Sequence, residues 1–515
     1  MKRLLIISIM ALFVVSAYRA GMCEETICGK AQLPTQPTED LIAGSLNGPW
    51  RRLFLDATVT EQSENLIRKF HASKKNDGNP VIKQDKPWEG ADENGGPYLY
   101  GTVMWDEGKL RMWYHCWYDK GYLNPYAESQ DGINWVKPNL GIIEWNGSKE
   151  NNLFLGNCQD PNEKPPYLEQ GQCHNPSLIK SPWEPDPQKR YILFCFGHDY
   201  RHPRNAFSPD GLHWTFTPET REKPLLEGGD VLHVCYDLYK SRYVATWKAY
   251  HPRRGRAVGV AISDDGMNWT KPCEQSIFVA DDLDPDAAQI YGMPVFCYQG
   301  LYIGLPWVYN ARFWKKGAYL KPNSRNLEKD SPCTVDVQLA WSWDLINWTR
   351  NPDRQPLIPR GKQGEFDCGM IYTARAPVQV GDQLYFYYGG FDGPHNSEKS
   401  KANIGLAILR LDGFCSMAAG DTEGWLITRR EVFTEPEVTI NAKTTEYGYV
   451  IAEILDEDNN VMDGFSREQC ISFRGDLVRH VLKWKTKSFT EAQRKAEKKF
   501  RFYIKKADLY SYLVP

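Results

Sequence analysis

The sequence predicts an all-β protein: a ring of five four-stranded sheets followed by a second β unit. Three observations carry this. A turn of the form Ser-x-Asp-Gly-x-x-Trp recurs along the chain, in AESQDGINW (Ala127 to Trp135), AFSPDGLHW (Ala206 to Trp214), AISDDGMNW (Ala261 to Trp269) and AWSWDLINW (Ala340 to Trp348). A degenerate fifth copy is AILRLDGF, from Ala407 to Phe414. An aromatic run precedes each copy: RMWYHCWY from Arg111, RYILFCFG from Arg190, RYVATWKAY from Arg242, LYIGLPWVY from Leu301 and LYFYYGG from Leu384. These runs are short and bounded by Gly, Pro and Asp, which favours strands over helices.

Self-similarity at this scale marks a repeat architecture, and each unit reads as strand, turn, aromatic strand, loop, strand, turn, strand. The repeated turn has a local cause. Aspartate accepts hydrogen bonds from amides two residues on, glycine supplies a positive φ, and serine ties a nearby backbone group. The tryptophan then packs between neighbouring sheets, as a closed ring requires. The five units give a five-bladed β-propeller over residues 50–412, with RRLFLDATV (Arg51 to Val59) the candidate for closing the ring against the last blade. After Gly413 the segments VTINAKT, GYVIAEILDEDN, DLVRHVLKW and FRFYIKKADLYSY read as strands of a β-sandwich over 413–515. The basic stretch Arg494 to Lys506 reads as a solvated face.

Composition bounds the function. The chain has 515 residues, enough for two or three domains. A net charge of -3 gives no pull toward nucleic acid or an anionic membrane. The basic pair Lys2-Arg3, the apolar run Leu4 to Ala17 and small residues to Ala20 form a signal peptide over 1–20, too short to span a bilayer. A secreted or periplasmic protein is expected, with no membrane span after cleavage. The 13 cysteines are scattered without a zinc pattern, and Cys116, Cys195 and Cys235 sit in strand-like runs as small buried hydrophobes.

The phrases LFLD (Leu53 to Asp56), AESQDGINWVKPNLG (Ala127 to Gly141), YYGGFDGPH (Tyr387 to His395) and GLAILRLDGF (Gly405 to Phe414) resemble the secreted bacterial five-bladed propeller proteins related to glycoside hydrolase family 32. Families 43 and 130 share the propeller. The resemblance implies a secreted glycoside hydrolase acting on an oligo- or polysaccharide. The chain lacks the family 32 motifs W-x-N-D-P-N, R-D-P and E-C, and His174-Asn175-Pro176 stands near where R-D-P falls, so fructan hydrolysis is not carried over.

In a propeller the inner strands converge on the axis, so residues that open them are the first candidates. Glycoside hydrolysis needs a proton donor and a carboxylate acting as base or nucleophile. Blade one is preceded by Glu89 and Asp92, and blade two opens on His174 and Asn175. Blade three opens on Asp230 and His233, with Asp237 in the following turn. Blade four opens on Asp286, Gln289 and Tyr291, and blade five on Glu365 and Asp367. The expected catalytic carboxylates are Glu89, Asp230 and Asp367, converging in one funnel mouth. The expected sugar-binding residues are His174, His233, Asp286, Tyr291, Glu365 and His395. No cofactor is required, and no metal ligand is assigned; His395 can also hold an axial water or metal ion. Two other readings remain open at this point: a non-catalytic, lectin-like carbohydrate-binding propeller, and an interaction scaffold.

Overall fold

In the computed structural model, the described residues are 44, 48–90, 95–118, 121–156, 173–197, 202–221, 223–285, 287–310, 333–397, 399–485 and 488–514. The leader over 1–20, Asp92 and Asp286 lie outside them. Hydrogen bonding builds four small antiparallel meander sheets in a propeller-like arrangement. The first joins Gly96–Asp106, Lys109–Tyr118, Gly121–Ser129 and Leu153–Leu155. The second joins Cys173–Lys180, Tyr191–Gly197, His202–Ser208 and Thr215–Phe216. The third has three strands, Leu232–Asp237, Arg242–His251 and Gly255–Ser263. The fourth joins Val295–Tyr298, Leu301–Gly304, Ala340–Ser342 and Trp348–Arg350.

The last repeat unit does not form a separate sheet. Its strands Met370–Thr373, Gln383–Phe391 and Ala402–Arg410 belong to an eight-stranded sheet. That sheet also takes in Ala288–Gly292, Trp307–Asn310 and Thr334–Val337, linked through a single parallel pair, Val335 with Met370. The outer edge is closed by chain from before the repeats. Lys74–Lys75 pairs with Ala407 and Ile408, and Ile82 bridges to Ile404.

This corrects the expected closure by Arg51 to Val59. Arg52 and Leu53 instead pair with Tyr512 and Ser511 of the 17-residue strand Glu497–Leu513, and Thr60–Glu64 pairs with Gly424–Thr428. The physical reason is burial. Phe54 and Val59 enter the core formed by Phe433, Phe465, Trp484 and Phe500, and the Arg52 guanidinium meets the Glu431 carboxylate in a buried ion pair. The resulting nine-stranded sheet is organised on Glu497–Leu513, which pairs with five other strands. VTINAKT and GYVIAEILDEDN are not separate strands; one 19-residue strand, Glu437–Leu455, runs through both. The basic stretch is a solvated face only in part: Arg494 and Lys495 are exposed. Lys498 and Lys499 are buried, the first donating to the carbonyls of Gln493 and Ala496 and the second paired with Glu61 at 2.8 Å.

The repeated turns share one hydrogen-bond plan. In the third copy the Asp265 Oδ1 accepts from the amides of Met267 (2.8 Å) and Asn268 (2.7 Å), while the Gly266 amide donates to Ser263 Oγ at 2.9 Å. The Trp269 indole then donates to the Gly266 carbonyl, 3.2 Å away. The first copy repeats this plan around Asp131, and the fourth keeps its aspartate and tryptophan bonds around Asp344 while Ser342 Oγ accepts from the Asp344 amide at 3.2 Å. Gly132, Gly211 and Gly266 all have φ between 72 and 78°. Where the fourth copy has Leu345 instead, the residue still adopts φ 66°, so the carboxylate network holds the left-handed turn without glycine.

The second copy differs in one respect. The Gly211 carbonyl is taken by the Trp113 indole of the preceding sheet at 2.7 Å, and the Trp214 indole nitrogen is buried without a partner. Trp214 packs against the cluster containing Trp113 and Leu193, so it bridges two sheets. Trp135 meets Tyr387 edge-on at 5.4 Å and Trp269 meets Phe194 at 5.8 Å, which repeats the arrangement at other junctions.

Burial alone raises the Asp265 carboxyl, but the Asn268 and Met267 amides outweigh it and hold the group down to about 2 from 3.8. A carboxyl depressed in the folded state contributes stability above its unfolded value and loses it as pH falls through the folded one. Asp265→Ala is expected to lower stability at neutral pH by about 1 kcal/mol, by analogy with loss of a helix cap. Urea unfolding should show that difference shrinking between pH 4 and pH 2.

Candidate active site at the convergence of the inner strands

Five strands that open repeat units each place a ring at a common centre. Tyr100, from Gly96–Asp106, lies 5.2 Å from His174 of Cys173–Lys180, 4.8 Å from Trp307 and 4.8 Å from Tyr372 of Met370–Thr373, centroid to centroid. His233, from Leu232–Asp237, meets Trp307 edge-on at 4.9 Å, and Tyr291, from Ala288–Gly292, meets Tyr372 at 5.4 Å. A close backbone approach permits this. A Cβ on Gly292 would stand 2.6 Å from Val231 and 3.0 Å from the Trp307 ring. Tyr100, His233, Trp307 and Tyr372 are all buried and form a floor.

Above this floor lies a polar rim. Asp230, just before Leu232–Asp237, has its side chain 43% exposed and pairs with the Lys248 ammonium. Its backbone carbonyl meets Nδ1 of His174. Lys248 Nζ also sits over the Tyr291 ring at 4.7 Å from its centroid. Arg256 lies over Tyr291 at 5.6 Å and over Tyr309 at 4.9 Å, and its amide donates to Gln289 Oε1 at 3.1 Å. The Tyr291 hydroxyl and His395 Nε2 stand 3.2 Å apart. Tyr122 leans on His174, with centroids 4.6 Å apart.

The environment sets the charges. Burial by itself raises the Asp230 carboxyl, but Lys248 and His174 more than offset it and hold the group below its ordinary value. Asp230 is therefore a carboxylate at neutral pH. Burial drives His233 down to about 3 and His115 well below its ordinary value, so both rings are neutral. All four of their ring nitrogens are buried without a hydrogen-bond partner. Burial likewise pushes the phenols of Tyr98, Tyr100 and Tyr372 far up, which keeps them protonated.

Of the residues expected from sequence, Asp230, His174, His233, Tyr291 and His395 belong to this centre. Glu89 and Asp367 have separate surroundings, and among the described hydrogen bonds and ion pairs neither shares a partner with Asp230. Glu89 is fully buried and accepts from Tyr114 Oη at 2.8 Å, from the amides of Asp85 (3.1 Å) and Lys86 (3.2 Å), and from Lys137 Nζ at 2.8 Å. Asp367 is buried against Lys75 Nζ at 2.5 Å and the Tyr388 hydroxyl at 2.7 Å. Glu365 is exposed and accepts from the Lys362 amide within its own turn. Asp237 is also buried in a structural network, accepting from the Tyr302 hydroxyl at 2.6 Å and from the Tyr239 amide at 2.9 Å.

Sequence reasoning missed Lys248, Arg256, Tyr122, His115, Trp307 and Tyr372. Lys248 and His115 lie inside aromatic runs read wholly as packing; the interruption of RYVATWKAY by a lysine was the available signal. It missed Asp336 as well, a half-buried carboxylate paired with Arg360 at 2.7 Å and bonded by Asn310 at 2.5 Å. Among the described residues no group of three or more His, Cys, Asp or Glu is placed to hold a metal ion, and no helix is long and apolar enough to cross a membrane.

A cavity of about 790 Å³ adjoins the rim. Its lining includes Gly229 and Lys248, which neighbour Asp230, together with Trp247, Tyr250, Lys271 and Glu274. It does not include Asp230, His174, Tyr291, Arg256 or His395, so the cavity lies beside the aromatic centre and not within it. Its size suits a small-molecule or oligosaccharide ligand.

No family model matches this chain, and no curated protein matches it. Solved structures similar to it include glycoside hydrolase-like enzymes. A glycosyl hydrolase from Bacteroides ovatus is 15% identical, with 66% of this chain and 94% of that one covered and a TM-score of 0.44. A structure from the GH130 family of mannoside phosphorylases and glycoside hydrolases is 17% identical, with 66% and 94% covered and a TM-score of 0.43. An N-acetylgalactosamine deacetylase from F. plautii is 13% identical, with 73% and 97% covered and a TM-score of 0.38.

The separate setting of Glu89 has a measurable consequence. Lys137→Met removes the ammonium paired with the fully buried Glu89 carboxylate and leaves it only hydroxyl and amide donors among its described partners. It is expected to cost about 3 kcal/mol in chemical denaturation, the scale for breaking one side of a buried pair.

Proposed function

We propose that this chain is a carbohydrate-active enzyme working at the mouth of a five-bladed propeller, with Asp230 as its functional carboxylate. The observation that carries the reading is Asp230 itself. It is a half-exposed, ionised carboxylate on the rim of an aromatic funnel, paired with Lys248 and lying beside His174 above a floor of protonated phenols. Aromatic faces pack against the apolar faces of sugar rings, and the surrounding donors meet hydroxyl groups. The five-blade count follows if the eight-stranded sheet is the merged part of two blades, since five opening strands each send a ring to the centre. The strands after Gly413, with Arg52–Leu53 and Thr60–Glu64 added, then form the accompanying sandwich. The basic and apolar leader Met1 to Ala20 supports export.

In the hydrolytic reading Asp230, held as a carboxylate by Lys248, acts as base toward water or as nucleophile at the anomeric carbon. The departing oxygen takes its proton from water or from a rim group such as the Tyr291 hydroxyl. His174, Tyr291 and His395 bind sugar hydroxyls. Glu89 and Asp367, enclosed with lysines, lock the first and last repeat units and do not touch substrate. A second reading, phosphorolysis, is favoured by the two cations over the Tyr291 ring, Lys248 and Arg256. They offer a seat for inorganic phosphate, which then replaces a second carboxylate as the attacking group. A purely binding propeller would instead repeat its pockets from blade to blade, whereas the rim concentrates its charges on one side, around Asp230, Lys248 and Arg256.

A panel of 4-nitrophenyl glycosides and plant, algal and microbial oligosaccharides, with and without inorganic phosphate, tests this. Asp230→Asn is expected to lower kcat by about 100-fold or more while the circular dichroism spectrum is retained. Unchanged turnover removes Asp230 from the mechanism, and sugar phosphate among the products selects phosphorolysis.

Lys248 supplies a second test through pH. Because it helps hold Asp230 below the ordinary carboxylate range, Lys248→Met should move the acidic limb of the kcat/KM profile to higher pH. An unmoved acidic limb would mean that Asp230 does not set it.

A further inference from the structure

Cys173 and Cys195 lie on neighbouring strands of the second sheet, Cys173–Lys180 and Tyr191–Gly197. Both are buried, at 1% and 0% exposure. Their Sγ atoms approach to 2.6 Å. Unbonded heavy atoms rest about 3.5–4.0 Å apart, whereas bonded sulfurs stand about 2.05 Å apart. Two thiols held this close in a packed interior repel each other, and a covalent bond relieves that.

The register explains how they meet. Cys173 stands directly across from Gly197, and Cys195 lies two residues before that glycine, on the same face. Gly197 puts no side chain opposite Cys173, so the sulfur has room to lean diagonally toward Cys195. A Cβ at Gly197 would meet the Arg204 side chain at 2.9 Å, which keeps the position small. The pairing also shifts register between Phe194 and Phe196, around Cys195 itself. From the other side Asn124 grips the Cys173 backbone, donating to its carbonyl at 2.9 Å and accepting from its amide at 3.3 Å. The sulfur is thereby held in place.

We propose that Cys173 and Cys195 are a disulfide-forming pair that covalently fixes the strand carrying His174 to its neighbour. The oxidant is a small-molecule disulfide such as oxidised glutathione. One cysteine thiolate attacks the glutathione disulfide and releases one glutathione thiolate. The second cysteine thiolate then attacks the mixed disulfide, forming the Cys173–Cys195 bond and releasing the second glutathione. Two protein thiols lose two protons and two electrons, and one oxidised glutathione becomes two reduced ones. Since both sulfurs are buried in the folded chain, the exchange belongs to folding, before the second sheet closes. The adjacent His174, whose Nδ1 meets the Asp230 carbonyl, is then held from its own strand as well as from the rim.

The test uses the full chain, unfolded under reduction and refolded either in a mixture of oxidised and reduced glutathione or in excess reductant. Each sample is alkylated with iodoacetamide in denaturant, digested, and mapped by mass spectrometry without reduction. The expected result is the Cys173 peptide linked to the Cys195 peptide after oxidative refolding, and both cysteines alkylated after reductive refolding. Full alkylation of both in the oxidatively refolded protein overturns the proposal, as does linkage of either to another cysteine. The wild-type chain refolded in reductant is also expected to melt at a lower temperature than the chain refolded oxidatively, and Cys195→Ser to melt at one temperature after either refolding. A linked wild-type chain with the same Tm as the reductively refolded one overturns the strand-fixing role. If Cys195→Ser does not fold, the wild-type peptide map and melting pair still decide.

Discussion

The architecture depends on how closely its inner strands approach one another. Tyr100 touches His174, Trp307 and Tyr372, and Trp307 touches His233, so side chains from distant repeat units close the centre together. Each such ring removes roughly 150–250 Å² from water, worth about 4–6 kcal/mol at about 25 cal/mol per Å² before entropy is counted. The same packing sets the chemistry. A floor of protonated phenols and neutral imidazoles lowers the local dielectric, which strengthens any charge pairing on the rim. Asp230 and Lys248 sit where that floor meets solvent, one partly exposed and the other mostly covered.

The repeated turn works at the opposite ends of the sheets. Its aspartate gathers two amides and its serine a third, so a tight bend is satisfied within seven residues. The carbonyl left over serves either the turn's own tryptophan or an aromatic residue of the preceding sheet. Trp113 takes it at Gly211, and the Tyr387 hydroxyl joins Trp135 at Gly132. The turn is thus a junction between neighbouring sheets, and carries no catalytic group.

Buried acids divide into two kinds. Glu89, Asp237 and Asp367 are enclosed and fully engaged by hydroxyls, amides and cations, as burial of a carboxylate demands. Asp230 alone of the sequence candidates described here is both ionised and partly open on the aromatic mouth. The same inventory of Asp and Glu at strand entrances therefore serves two ends, tying blades together and presenting charge.

The sequence by itself determined the local structure: the four turns, the aromatic strands, and the placement of His174, Asp230, His233 and Tyr291 at strand entrances. These follow from short-range chemistry, namely amide capture by aspartate, left-handed glycine and period-two burial. Only the tertiary structure decided what those entrances face. Glu89 and Asp367 occupy the same kind of sequence position as Asp230, yet Lys137 and Lys75, 48 and 292 residues away, enclose them. Lys248 looked like one more residue of a buried strand until the pairing of Arg242–His251 turned it toward the centre. The closing strand was misplaced for the same reason: Leu53 and Phe54 suit any sheet edge, and the choice fell to whichever core could bury them. Partners far apart in the chain leave no local pattern, so ion pairs and ring contacts between units became visible only when the sheets were assembled.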